Sequence, residues 1–221
     1  MKDFATSIVK TLRRHGFEAY LVGGCVRDLL LGREPKDYDV ATNATPQQVM
    51  TIFPQTYAVG AQFGVVLVPA PDAGGASECE LEGMSKSGCV EVATFRSDIG
   101  YTDGRHPDEV RFSSDPREDV ARRDFTINGM LLDPVSGEVL DYVDGRKDLE
   151  GGIIRTIGEP QHRFAEDKLR MLRGVRFSAR FNYTIEPSTF AAIQKSADQI
   201  AVVSRERVRD ELTRMLTEGH A

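Results

Sequence analysis

The 221-residue sequence predicts an α+β chain: a small mixed β-sheet head with flanking helices, followed by an all-helical segment. Three observations predict it. Short apolar runs alternate with helical patterns up to about residue 143. From about residue 146 the apolar residues fall at helical spacing alone. Hydrophobic residues make up 40% of the chain, enough for a packed core, and the length suits one domain plus part of a second.

In chain order, residues 3–15 read as a helix, with Phe4, Ile8, Val9 and Leu12 at helical spacing and His15-Gly16 at its end. Residues 19–22 are a short apolar strand. Gly23-Gly24 leads into a helix over 26–31, stopped by Gly32. Residues 36–41 are a second strand. Residues 46–53 form a helix with Thr45 as N-cap, stopped before Pro54. Residues 65–68 and 90–95 are further strands. The stretch at 69–89 between them is rich in Gly, Ser and Glu and reads as a mobile excursion, since so long a connection is uncommon in a compact domain. Residues 101–112 are polar, with Gly104 and Pro107, and read as a flexible loop. Residues 117–130 read as a helix that runs into Leu131-Leu132. A turn at 133–137 and a strand at 139–143 complete a small hairpin. Beyond it, 164–181 is a long amphipathic helix, and 187–196 and 204–216 are two more. No internal repeat is visible.

No apolar run approaches the length of a membrane span, and the amphipathic N-terminus has no signal-peptide core, so a cytoplasmic protein is expected. Cys25, Cys79 and Cys89 form no zinc-type CxxC pair and read as small buried fillers. The net charge of −6 is unevenly spread. Residues 1–150 hold 16 basic against 25 acidic residues, and residues 151–221 hold 12 against 9. An acidic half suits cations and a basic half suits phosphates, although solvated surface explains so mild an asymmetry nearly as well.

Asp37-Tyr38-Asp39 lies on the second strand. Alternate strand residues share a face, which sets the two carboxylates about 7 Å apart along the chain. Neighbouring carboxylates repel and favour a bound cation, and hard oxygen ligands suit Mg²⁺. Gly23-Gly24, between a strand and a helix, allows close approach of a phosphate to free backbone N–H groups; a tight strand-to-helix turn favours the same residues. Arg27 follows within reach of the same phosphates, or else forms a surface ion pair with Asp28. Glu91 is a charge within an apolar strand, costly unless paired, metal-bound or facing solvent.

Taken together these residues resemble the polymerase-β-like nucleotidyltransferase superfamily. The stretch Val22-Gly23-Gly24-Cys25-Val26-Arg27-Asp28-Leu29-Leu30-Leu31-Gly32, followed by Asp37-Tyr38-Asp39, is similar to the first motif of its class II branch, which holds bacterial and eukaryotic CCA-adding enzymes and bacterial poly(A) polymerases. Arg122-Arg123-Asp124-Phe125-Thr126-Ile127-Asn128 resembles the second motif. Asp141-Tyr142-Val143-Asp144-Gly145-Arg146-Lys147-Asp148-Leu149, ending at Ile154-Arg155, resembles the third, and Glu166-Asp167-Lys168-Leu169-Arg170-Met171-Leu172-Arg173 the fourth.

The resemblance implies a nucleotidyltransferase head over 1–147 and a helical neck over 148–221, the latter cut short. It implies that Asp37 and Asp39 hold two Mg²⁺ ions and that Glu91 polarises an attacking hydroxyl. Gly23, Gly24 and Arg27 would hold the triphosphate. Arg123, Asp124 and Asn128 would contact the nucleotide's sugar and phosphates, Asp167 and Arg170 would read the base edge, and Arg173 is divided between phosphate contact and surface charge. The stretch at 101–112 would be the branch's flexible loop, which helps in nucleotide choice. The expected reaction is CMP and AMP addition from CTP and ATP to an RNA 3′ end, most readily that of tRNA. Poly(A), CC-only and A-only addition share the motifs, and an NTP-binding module without turnover is a reading of another class. The grip on RNA would come from further C-terminal domains or a second chain. The 69–89 insertion departs from the family's usual tight hairpin.

Overall fold

A computed structural model describes residues 1–71, 88–100 and 109–218. The elements in chain order begin with α1 (Lys2–Arg14), β1 (Ala19–Val22), α2 (Gly24–Leu30), β2 (Asp39–Thr42), α3 (Pro46–Ile52), β3 (Tyr57–Gly60), β4 (Val65–Pro69) and β5 (Cys89–Thr94). Then come β6 (Arg96–Ile99), β7 (Glu109–Phe112), α4 (Pro116–Ala121), β8 (Leu131–Leu132), β9 (Val139–Leu140), α5 (Gly145–Gly151) and β10 (Ile153–Ile154). The last are α6 (Pro160–Glu166), α7 (Leu169–Phe181), β11 (Thr184–Ile185), α8 (Pro187–Ser196) and α9 (Arg205–Glu218). The chain divides into two compact units, which it visits alternately: 1–97, 110–120 and 130–141 in the first; 98–109, 121–129 and 142–221 in the second.

The first unit is built on a mixed sheet with strand order β3-β4-β5-β2-β1-β8-β9. β2 and β5 run parallel, and the other neighbours are antiparallel. Ala5, Ile8, Val9 and Leu12 bury one stripe of α1, the i, i+3, i+4, i+7 spacing of a core-facing helix. Thr45 caps α3 reciprocally with Gln48: the Gln48 N–H donates to the Thr45 hydroxyl at 3.4 Å, and the Thr45 N–H to Gln48 Oε1 at 2.8 Å. β4 and β5 remain in register to Pro69 opposite Cys89, and the Ala70 N–H donates to the Gly88 carbonyl at 2.7 Å. Most of the expected excursion at 69–89 lies outside the described residues. Cys25 is a buried free thiol that donates to the Val22 carbonyl at 3.2 Å; burial pushes it up to about 11. Cys89 is disulfide-bonded, so the filler reading fails there.

In the second unit, α7 packs against α9, and Phe164, Met171 and Ala192 join α6, α7 and α8 in one cluster. Phe125 meets Phe177 edge-on at 5.8 Å, and Phe177 stacks with Phe181 at 6.2 Å. β10 and β11 pair in parallel, so this segment is not purely helical. Two strands of two residues each carry too little pattern to stand out in sequence.

Three further expectations need correction. Residues 117–130 are not one helix: α4 stops at Ala121, and a 3-10 turn occupies Thr126–Asn128. Tertiary pairing outweighs helical propensity there, since the Thr126 N–H donates to Arg155 O at 2.9 Å and the Ile157 N–H to Asp124 O at 3.0 Å. Within the expected loop at 101–112, residues 109–112 form β7, which pairs with β6; 101–108 lie outside the described residues. The long helix at 164–181 is broken at Asp167, whose backbone is extended at φ −144° and ψ 108°.

Candidate active site

β1 ends at Val22, directly opposite Asp39, the first residue of β2. Gly23 follows at φ 78°, a conformation that disfavours any side chain, and turns the chain into α2. No side chain caps α2, which leaves the N–H groups of its first turn to other partners. Arg27 bends back over this turn: a Cβ on Gly24 would lie 3.4 Å from Arg27 Nη2. The guanidinium is only 4% exposed and pairs with Asp28 Oδ1 at 2.8 Å. The Arg27–Asp28 pair is therefore buried, not the surface pair that was one of its two readings.

Across the parallel β2–β5 junction, Asp39 stands in register with Glu91. Paired residues of neighbouring strands lie about 4.8 Å apart and share a face. Both are half-buried, and both alternate with buried residues, Val40 beyond Asp39 and Val90 and Val92 around Glu91. Asp37 lies in the approach to β2, two residues before Asp39, exposed, with buried Tyr38 between them. Alternation along the extended chain thus sets Asp37 and Asp39 apart from Tyr38. Among the described residues no three acidic, histidine or cysteine side chains are gathered as a ready-made metal cage. The donor set nevertheless fits a hard divalent cation: two carboxylates sit level on adjacent strands, and Asp39 Oδ1 is shielded from solvent.

The second unit assembles most of the remaining candidates. Asp124 Oδ2 accepts from Arg173 Nε at 2.9 Å and Nη2 at 2.6 Å. Its Oδ1 accepts from the Phe125 N–H at 2.7 Å and from Asn128 Nδ2 at 3.1 Å. Burial opposes the charge on Asp124, but Arg173 and these donors outweigh it and hold the carboxyl at about 2. Arg173 is thus committed to Asp124, and Arg123 sits half-buried nearby in sequence.

Asp167 and Arg170 do not share a helical face, because Asp167 lies in the break between α6 and α7. Its Oδ1 accepts from the Leu169 N–H at 3.0 Å, and its carbonyl from the Arg170 N–H at 3.1 Å, so this residue starts α7. Arg170 donates to Glu166 Oε2 at 2.5 Å, to Arg163 O at 3.1 Å and to Arg122 O at 3.1 Å. Sequence reasoning missed the anchors on α9: Arg207, which pairs with Asp167 at 2.8 Å, and Glu211, which pairs with Arg176 at 2.6 Å. No local signal links residues 40 and 35 positions apart. Glu166, by contrast, was findable from its i, i+4 spacing to Arg170.

Residues 19–155 match the family described as the poly A polymerase head domain. The chain belongs to this family. Past the poly A polymerase head domain, residues 182–221 match a family described as the probable RNA and SrmB-binding site of polymerase A. A curated relative named "CCA-adding enzyme" from Lactococcus lactis subsp. lactis is 43% identical over 212 residues, which is 96% of this chain and 50% of the relative. The crystal structure of the Bacillus stearothermophilus CCA-adding enzyme in complex with CTP superposes with a TM-score of 0.81 at 40% identity, over 96% of this chain and 47% of that one. The Thermotoga maritima CCA-adding enzyme complexed with tRNA gives 0.72 at 25% identity, over 99% and 47%. The chain spans about half the length of the curated relatives it matches. Among its described residues no helix is long and apolar enough to cross a membrane.

Proposed function

We propose that this chain is the head (1–147) and neck (148–221) of a CCA-adding enzyme, working in the cytoplasm and transferring CMP and AMP from CTP and ATP to the 3′ end of tRNA. One observation carries the catalytic part: Asp39 and Glu91 stand in register beside the strand end that delivers Gly23. The names of the relatives, one of them bound to CTP and one to tRNA, support the substrates.

In this reading Asp37 and Asp39 hold the divalent ions on which such enzymes rely, here assigned as Mg²⁺. When bound, these ions supply positive charge that neutralises the triphosphate and makes the acceptor hydroxyl easier to ionise. Glu91 orients that hydroxyl from the neighbouring strand. The N–H groups after Gly23, which no side-chain cap engages, and the Arg27 guanidinium seat the triphosphate, so that the leaving pyrophosphate is positioned before reaction. Asp124 and Asn128, fixed to each other, present a rigid polar edge to the sugar, with Arg123 alongside and Arg173 locking Asp124. Asp167 offers an acceptor and Arg170 a donor to the base edge.

The match of residues 182–221 to a polymerase A segment favours a second reading, a poly(A) polymerase. Incubation with tRNA lacking its CCA end and with each NTP separately distinguishes the two. CTP incorporation before ATP supports CCA addition, and long ATP-only tails support the polymerase. NTP binding without any extension points to a binding module.

A further inference from the structure

Asp167 and Arg170 are three residues apart and oppositely charged, yet among the described residues they are not ion-paired with each other. Each has its own anchor. Arg170 is tied to Glu166 and to the carbonyls of Arg122 and Arg163. Asp167 uses Oδ1 for the Leu169 N–H and gives Oδ2 to Arg207 Nη2 at 2.8 Å. The Asp167 and Arg207 side chains are 15% and 23% exposed, so their attraction is only partly screened. Arg207 itself projects from α9, which Glu211 secures to α7 through Arg176.

We infer that Arg207 is a positioning residue for nucleotide selection, fixing the orientation of the Asp167 carboxylate so that its remaining acceptor sites face a base in one direction. This rests on the proposed role of Asp167 and Arg170 in reading the base. A carboxylate has about four acceptor sites, and the two hydrogen bonds seen leave room for an N–H of the base. Without Arg207, Asp167 keeps only the Leu169 N–H as an anchor, and the carboxylate can rotate away from the direction in which it accepts from a base. The ligand class selected is a nucleotide whose base carries an exocyclic amino group beside a ring-nitrogen acceptor, as cytosine and adenine do. Uracil presents a carbonyl at the same place and would face the Asp167 oxygen without a hydrogen to share.

The test is equilibrium binding of CTP and UTP to the full chain, with Arg207→Gln, Arg207→Lys, Asp167→Asn and the double variant Arg207→Gln/Asp167→Asn. Arg207→Gln is expected to weaken CTP about tenfold while leaving UTP nearly unchanged, the scale of losing one well-aligned base contact. Arg207→Lys, which keeps the charge and loses the planar fork, is expected to fall between, at about threefold. The double variant is expected to be no worse than Asp167→Asn, because Arg207 acts through Asp167. An equal loss for both nucleotides, or an additive double variant, overturns the positioning role. If Asp167→Asn collapses the CTP/UTP ratio and Arg207→Gln does not, base reading stands and the role of Arg207 falls. If Asp167→Asn leaves the ratio unchanged, base reading is wrong and the inference falls with it. Should Arg207→Gln fail to fold, as judged by its melting curve, Arg207→Lys decides: an unchanged ratio overturns the role.

Discussion

Asp39 and Glu91 are exact register partners across β2 and β5, although 52 residues separate them in the chain. Replacing either carboxylate by its amide changes little in volume but removes the charge on which the proposed cation site depends. Asp39→Asn and Glu91→Gln are each expected to lower turnover by about a hundredfold or more, the scale of losing one preorganised electrostatic group. Melting temperature should be kept or rise slightly, because repulsion between the two groups is relieved. Single-turnover assays with thermal melts check this, and near-normal turnover in either variant removes the catalytic assignment.

Gly23 stands at φ 78° and ψ −137°, where a side chain is strongly disfavoured. Gly23→Ala is expected to cost about 1–3 kcal/mol of stability and to weaken triphosphate binding more than nucleoside binding. Denaturant unfolding and titrations with CTP against cytidine measure the two effects separately.

The Asp124–Arg173 pair predicts how stability responds to acid. The Asp124 carboxyl is lowered from 3.8 to about 2 in the folded chain. A depressed carboxyl contributes stability that is fully present above the unfolded value near 3.8 and is lost as pH falls through the folded value near 2. About 2 kcal/mol should therefore disappear between pH 5 and pH 2 from this group. In Arg173→Met the carboxyl loses its cation, and the acid limb of the stability curve should flatten while stability at neutral pH drops. An acid limb as steep as that of the unaltered protein would show that other carboxylates dominate.

Arg176 and Glu211 form a nearly solvent-free ion pair between α7 and α9, with side chains 4% and 5% exposed. Glu211→Ala leaves the buried arginine with only the looser contact to Glu218 at 3.7 Å and is expected to cost about 3 kcal/mol. Replacing both residues by methionine should recover most of that loss, because the desolvation cost of two charges goes with them. Urea unfolding of the single and double variants gives the comparison; a double variant as unstable as Glu211→Ala would be inconsistent with a desolvated pair.

The sheet was legible wherever apolar runs were long enough to show a pattern. β1 is found at the residues expected of it, as is α8, while β5 moves by a single residue. The closeness of Asp37 and Asp39 was readable from sequence alone, but only strand pairing reveals that Glu91 stands level with Asp39, and the structure brings that pair together without Asp37 in the strand. The break at Asp167 was hidden because apolar spacing continues across it, and one side-chain hydrogen bond to the Leu169 N–H marks it. The pairs Asp124–Arg173 and Asp167–Arg207 span 49 and 40 positions, distances over which charge type alone selects no partner.

The closed end of the β4–β5 ladder has a consequence for how this gene can change. Pro69 still pairs with Cys89, and the Ala70 N–H still reaches Gly88 O, so the strand carrying Glu91 is zipped shut before the intervening peptide begins. Glu91 is thus keyed to Leu67 on one side and to Asp39 on the other, so a one-residue slip of β5 against either neighbour would turn the carboxylate to the opposite face, and mutation can trade the side chains of this strand more freely than its length.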